Sequence, residues 1–62
     1  MIEPKIGMRF FDAFSGTHTI TAVNGEYILH TYKDDGGREV KDAFMYRKVF
    51  EKLANANVLA IL

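Results

Sequence analysis

Between residues 17 and 32 the chain alternates β-branched or aromatic residues with small polar ones, broken once at Asn24-Gly25. The two halves, Thr17-His18-Thr19-Ile20-Thr21-Ala22-Val23 and Tyr27-Ile28-Leu29-His30-Thr31-Tyr32, are poor in helix formers and read as strands. A second turn signal, Asp34-Asp35-Gly36-Gly37, follows. Asn-Gly and Asp-Gly suit type I′ hairpin loops, whose two central residues need positive φ. Loops of two residues at Asn24-Gly25 and Asp35-Gly36 set Ile20 opposite Leu29, Ala22 opposite Tyr27 and Thr19 opposite His30. They also set Thr31 opposite Val40 and Tyr32 opposite Glu39. Side chains alternate between the faces of a sheet. Ile20, Ala22, Tyr27, Leu29 and Val40 are therefore expected on the core face, and Thr17, Thr19, Thr21, Ile28, His30 and Tyr32 on the other.

An earlier strand lies within residues 7–14 and closes at Ser15-Gly16. A simple two-residue loop there sends Phe11 to the core face and Met8, Phe10 and Phe14 away from it. Either a bulge at Phe10-Phe11 shifts the register, or the sheet curls so that both faces are covered. From Asp42 the period changes: Tyr46, Val49, Phe50 and Leu53 fall at i, i+3, i+4 and i+7, a helical stripe widened by Met45 and Ala54. Asp42 is the expected N-cap, Arg47 and Glu51 form an i, i+4 pair, and Lys52 suits the C-terminal dipole. Asn55 or Asn57 can end the helix in the left-handed region. The apolar run Val58-Leu59-Ala60-Ile61-Leu62 is too short for a helix and reads as a buried strand.

The order is thus β-β-β-β-α-β in a single domain, mainly β. Four meandering strands, a helical turn and a closing strand resemble a small SH3-like barrel. This is a likeness of fold, without any ligand-binding motif of such barrels. A twisted antiparallel meander with the helix across one face is the alternative architecture. Fold analogy carries little information about function.

Composition narrows the function classes. The 62 residues are 48% hydrophobic and 26% charged, with no cysteine, so neither disulfides nor thiolate metal sites staple the domain. No apolar run approaches the ~20 residues of a spanning helix, and the first residues lack the apolar core of a signal peptide. A cytoplasmic protein without membrane association is expected. Eight basic residues balance eight acidic ones, whereas nucleic-acid binders usually carry a basic excess. The basic side chains Arg38, Lys41, Arg47, Lys48 and Lys52 do cluster in the second half.

Chemistry-bearing residues are few. The expected register sets His18 at the core edge and His30 exposed on the opposite face, which prevents a shared metal, and no zinc signature stands in the sequence. Ser15 lies three residues from His18, but no third residue is placed to orient a base. Asp34-Asp35 belongs to a turn, and Glu39 with Asp42 to a helix start. Gly36-Gly37 does not open a helix after a strand. A domain this small has little room for a pocket of ~300 Å3. An enzyme is not expected, nor is any cofactor.

Eight aromatics are a high proportion for this length. Phe11, Tyr27, Phe44 and Phe50 are the simplest core members; Phe10, Phe14, Tyr32 and Tyr46 cannot all be buried. Surplus aromatics near Arg9, Lys33 or Arg47 suit a barrel buried on both faces, a protein-binding surface or a stacking platform for single strands. The expectation is a non-enzymatic interaction module, a protein-binding regulator or inhibitor of the kind phages and mobile elements carry. Its candidate binding residues are Phe10, Thr19, His30, Tyr32, Arg38, Tyr46 and Arg47. The alternative is a nucleic-acid-binding small barrel using the strand aromatics and the basic 38–52 segment. A homodimer through an edge strand is a further possibility.

Overall fold

The computed structural model describes residues 2–62. Five strands and one helix follow the expected order: β1 (Arg9–Asp12), β2 (Gly16–Val23), β3 (Tyr27–Lys33), β4 (Glu39–Tyr46), α1 (Arg47–Asn55) and β5 (Leu59–Ile61). All neighbouring strands are antiparallel, in the spatial order β4-β3-β2-β1-β5. The sheet is therefore an open meander and not a barrel, because β4 and β5 stand at opposite edges with three strands between them. The helix connects those edges and packs across one face, which is covered without the sheet curling.

Both hairpins differ from the type I′ expectation by one residue. Asn24 occupies the first position of its turn, and its amide N–H donates to the Tyr27 carbonyl at 3.0 Å. Its side-chain Oδ1 accepts from the Glu26 and Tyr27 amides at 2.8 and 2.9 Å, an Asx-type turn. Gly25 is not among the residues with positive φ. At the second turn Gly37 takes φ 80°, the Gly37 amide donates to the Asp34 carbonyl and the Asp34 amide to the Arg38 carbonyl, each at 2.9 Å. That is a type I turn closed by a left-handed glycine, the three-residue hairpin loop.

Each shift alters which residues face one another, and two bulges add to it. His18 pairs with Tyr32, Thr19 with Thr31 and Ile20 with His30, then Ala22 with Leu29 once the register slips at Thr21. Between β3 and β4 it slips again, between the His30–Ala43 and Tyr32–Val40 pairs, where Asp42 adopts φ 54°. The Thr21 hydroxyl lies 3.2 Å from Asp42 Oδ1, linking the two bulges across the sheet. A one-residue slip moves a whole strand to the other face. Consequently Ile28 and His30 are buried against the helix, and Tyr27 and Leu29 lie on the open face.

The first strand needs no bulge. Its pairing with β2 runs unbroken from Arg9–Thr19 to Asp12–Gly16. It is Phe10 that enters the core and Phe11 that faces out, the reverse of the expectation. The core consists of Phe10, Ile20, Ile28, Phe50, Ala54 and Leu59, flanked by Ile2, Met8, Val23, Met45 and Leu53. Of the four aromatics expected inside, only Phe50 is fully buried; Phe11 and Phe44 are exposed.

The helix starts at Arg47, five residues after the expected cap at Asp42. Residues 42–46 alternate as well as they repeat, and β3 offers them a ladder that ends in the Tyr27–Tyr46 pair. Tertiary pairing thus overrides the local helical period. Tyr46 takes the N-cap position without a side-chain cap, and the Arg47 amide donates to the Glu26 carbonyl at 2.8 Å instead. The other end follows the sequence closely. Asn57 adopts φ 60°, its amide donates to the Ala54 carbonyl, and the Val58 amide donates to the Leu53 carbonyl at 2.9 Å. This is a Schellman closure with asparagine in the left-handed position. Arg47 Nε donates to Glu51 Oε2 at 3.2 Å, as the spacing predicts.

The Asn24 turn yields a paired prediction. Asn24→Ala removes two acceptor contacts to turn amides and is expected to cost about 1 kcal/mol. Gly25→Ala is expected to be nearly neutral, since a Cβ there meets nothing within 4 Å. Urea midpoints of the two variants check this; a costly Gly25→Ala would restore the type I′ turn.

Candidate functional site

Two regions carry the chemistry of the molecule. The first is an aromatic cluster on the open face of the sheet. Tyr27 and Tyr46 face one another across β3 and β4, as do Leu29 and Phe44. The Tyr27 and Phe44 rings are 5.1 Å apart, and those of Phe44 and Tyr46 are 4.9 Å apart and nearly perpendicular. Phe44 is 54% and Tyr46 61% exposed. Beside them opens a cavity of about 490 Å3 lined by Gly25, Glu26, Tyr46, Lys48 and Val49, more room than expected in so short a chain. The turn at Gly25 and the first turn of α1 form its walls. They are held together by the Arg47 amide on Glu26 and by Arg47 Nη1 donating to the Asn24 carbonyl at 3.2 Å.

The second region is a polar relay built into the core. His18 and His30 are both buried, and their Nδ1 atoms meet at 2.9 Å. Ser15 Oγ lies 2.8 Å from His18 Nε2. The His18 ring stacks on Phe10, with centroids 4.7 Å apart and planes 6° apart, and the Tyr32 ring lies 4.5 Å away. This corrects the expected placement of the histidines on opposite faces, with His30 exposed. It also supplies the third residue that the sequence lacked beside Ser15 and His18. Burial lowers the pKa of both. For His30 it falls from 6.5 to about 4, burial acting first and the neighbouring His18 second. For His18 burial lowers it while the Asp12 carboxylate opposes.

The candidate binding residues do not form one surface. Phe10 and His30 are interior, and Tyr32 is half-buried beside the histidines. Thr19 lies on the open face opposite Arg9 and Thr31. Arg38 closes the distant Asp34 turn. Tyr46 and Arg47 sit together at the β4–α1 junction, where Tyr46 lines the cavity. Phe44 and Val49 are the partners that sequence reasoning missed, and Lys48, expected only in the alternative basic surface, joins them at the cavity. Phe44 and Tyr46 are two apart in a strand, and this alternation was hidden by the helical stripe.

Among the described residues no group of three or more histidine or acidic side chains is placed to hold a metal, and no helix is long and apolar enough to cross a membrane. Compared with protein-family models, with curated proteins and with solved structures, the chain matches none.

Proposed function

We propose that the chain is a non-enzymatic docking module, a small regulator or inhibitor that takes an extended segment of a partner protein along the β4 edge. The observation that supports this reading is the coincidence at one edge of three features: a strand with no neighbour on its outer side among the described residues, the exposed Phe44 and Tyr46 rings, and the adjoining cavity. An edge strand offers main-chain donors and acceptors to an incoming strand, and pockets beside it select alternate side chains. Aromatic anchors next to a cavity are the usual centres of binding energy. The partner segment is therefore apolar at alternate positions, with one side chain entering the cavity between Tyr46 and Val49.

Single-stranded nucleic acid is the competing occupant of the same aromatics. Charge weighs against it. The net charge is zero, Arg47 is engaged by Glu51 at 3.2 Å and Lys41 lies 3.9 Å from Glu39. A second copy of the chain along β4 is the other competitor.

Backbone amide NMR separates these. Peptides selected from a random displayed library are expected to perturb residues 43–49 and the Gly25 turn, and to lose affinity at least tenfold in F44A and Y46A. Both side chains are exposed, so these variants should keep the fold. Perturbation of the same residues by an oligonucleotide, with affinity falling steeply as salt rises, would replace the protein reading. Concentration-dependent shifts along β4 without any ligand would indicate self-association.

A further inference from the structure

The relay beneath β1 and β2 points to a function separate from the docking edge. Ser15 is the single serine of the chain. It sits half-buried in the turn between β1 and β2, beside Phe14, whose side chain is 90% exposed. An activated hydroxyl needs a base within hydrogen-bond reach and a third group to orient that base. Here Ser15 Oγ is 2.8 Å from His18 Nε2, and His18 Nδ1 is 2.9 Å from His30 Nδ1.

Two neutral imidazoles sharing an Nδ1–Nδ1 bond must adopt different tautomers, since one donates and the other accepts. When His18 carries its proton on Nδ1, it donates to His30 and leaves Nε2 free to accept from the Ser15 hydroxyl. That is the polarity a general base requires. The stacked Phe10 ring and the neighbouring Tyr32 ring fix the His18 plane; burial disfavours the imidazolium that forms when the proton arrives, and the Asp12 carboxylate offsets that in part.

We propose that Ser15 is a nucleophilic acceptor site for acyl groups, with His18 as its general base and His30 as the positioning residue. The substrate class is an activated ester or thioester with an apolar acyl chain, for which exposed Phe14 offers a contact surface. Ser15 Oγ bonds to the carbonyl carbon as its proton passes to His18 Nε2. The bond from carbonyl carbon to the leaving alkoxide or thiolate then breaks, and that group departs with the proton from His18. The products are the O-acylated serine and the free alcohol or thiol. The site thus accepts a modification and requires no turnover.

The test uses the intact chain with p-nitrophenyl acetate and an alkyl fluorophosphonate as probes. Mass spectrometry of the whole protein and of its peptides is expected to show one added group, on Ser15, and none in S15A. A positioned base contributes about 100-fold or more, so labelling of the folded chain should exceed that of the urea-unfolded chain by at least that factor. Labelling at any other residue, or at equal rates in the two states, overturns the proposal. Long-range proton–nitrogen NMR of the imidazoles reads the roles directly in the unmodified protein. A proton on His18 Nδ1 with His30 Nδ1 bare supports the assignment; a proton on His18 Nε2, donated to Ser15, refutes it.

Discussion

Lowering the pH from 6.5 to 5 is expected to remove about 2 kcal/mol of folding stability, before most carboxylates begin to titrate. The cause is the buried imidazole pair. In the unfolded chain each histidine takes up a proton near pH 6.5, whereas in the fold His30 resists protonation until about pH 4. Across that window the unfolded state binds more protons, so stability falls as the pH falls and is fully present only above 6.5. One pKa unit corresponds to about 1.4 kcal/mol, so His30 alone accounts for roughly 3 kcal/mol by pH 4. His18 adds to this in the same direction, moderated by Asp12. The rings that face the pair from β1 and β3 are those of Phe10 and Tyr32; the one counter-charge on the pair is the Asp12 carboxylate at the end of β1, which acts on His18. A core of this size supplies only ~3–5 kcal/mol in total. The domain is therefore expected to unfold cooperatively between pH 5 and 4. Urea midpoints at pH 7, 6, 5.5 and 5 measure the slope. In His30→Phe the slope over the same interval should shrink to the share of His18. A midpoint that does not move between pH 7 and 5 would mean that the histidines are hydrated.

Local chemistry was legible in the sequence wherever it acts within a few residues. The strand-forming runs, the two hairpin positions, the Arg47–Glu51 pair and the left-handed Asn57 all depend on near neighbours, and the structure has each of them. Register was not legible, because it is decided by where a turn begins and by the bulge at Thr21. Asn24 can be the first or the second residue of its turn. In the first position its side chain caps two amides at 2.8 and 2.9 Å, and the strand pairing moves by one or two residues. The turn shift alone moves the pairing by two residues, from Ala22–Tyr27 to Ala22–Leu29, and keeps each side chain on its face; the bulge at Thr21 adds the single-residue step that exchanges the faces of β3 relative to Ile20. It carries Ile28 and His30 inward and Tyr27 and Leu29 outward. The histidine relay was invisible for the same reason: His18 and His30 share a face only because of the bulge at Thr21. The helix boundary failed differently. Met45 and Tyr46 satisfy a helical stripe and a strand alternation equally, and only the presence of β3 alongside decides between them.

Deleting residues 58–62 is expected to abolish cooperative folding. The segment was expected to be a buried strand, but the structure covers only one of its sides. Leu59 is 2% exposed, while Val58, Ile61 and Leu62 remain at the surface. Its contribution lies in three linked places. Leu59 packs into the cluster with Phe10, Phe50 and Ala54, where full burial of such a side chain is worth ~1.5–3 kcal/mol. β5 pairs with β1 at Phe10–Ile61, Phe11–Ala60 and Asp12–Leu59, and the Leu62 amide donates to the Arg9 carbonyl at 3.0 Å. The Val58 amide also closes the helix on the Leu53 carbonyl. Removal therefore opens the end of α1, bares one edge of the four-residue β1, and leaves a void beside Phe10 and Phe50. Against a total of a few kcal/mol, these losses exceed the margin. Leu59→Ala isolates the packing part and should cost about 2–5 kcal/mol, whereas Leu62→Ala, at an exposed position, should change the midpoint little. Circular dichroism with urea titration distinguishes the three. A truncated chain that still melts cooperatively would show that β1 and α1 hold the core without β5.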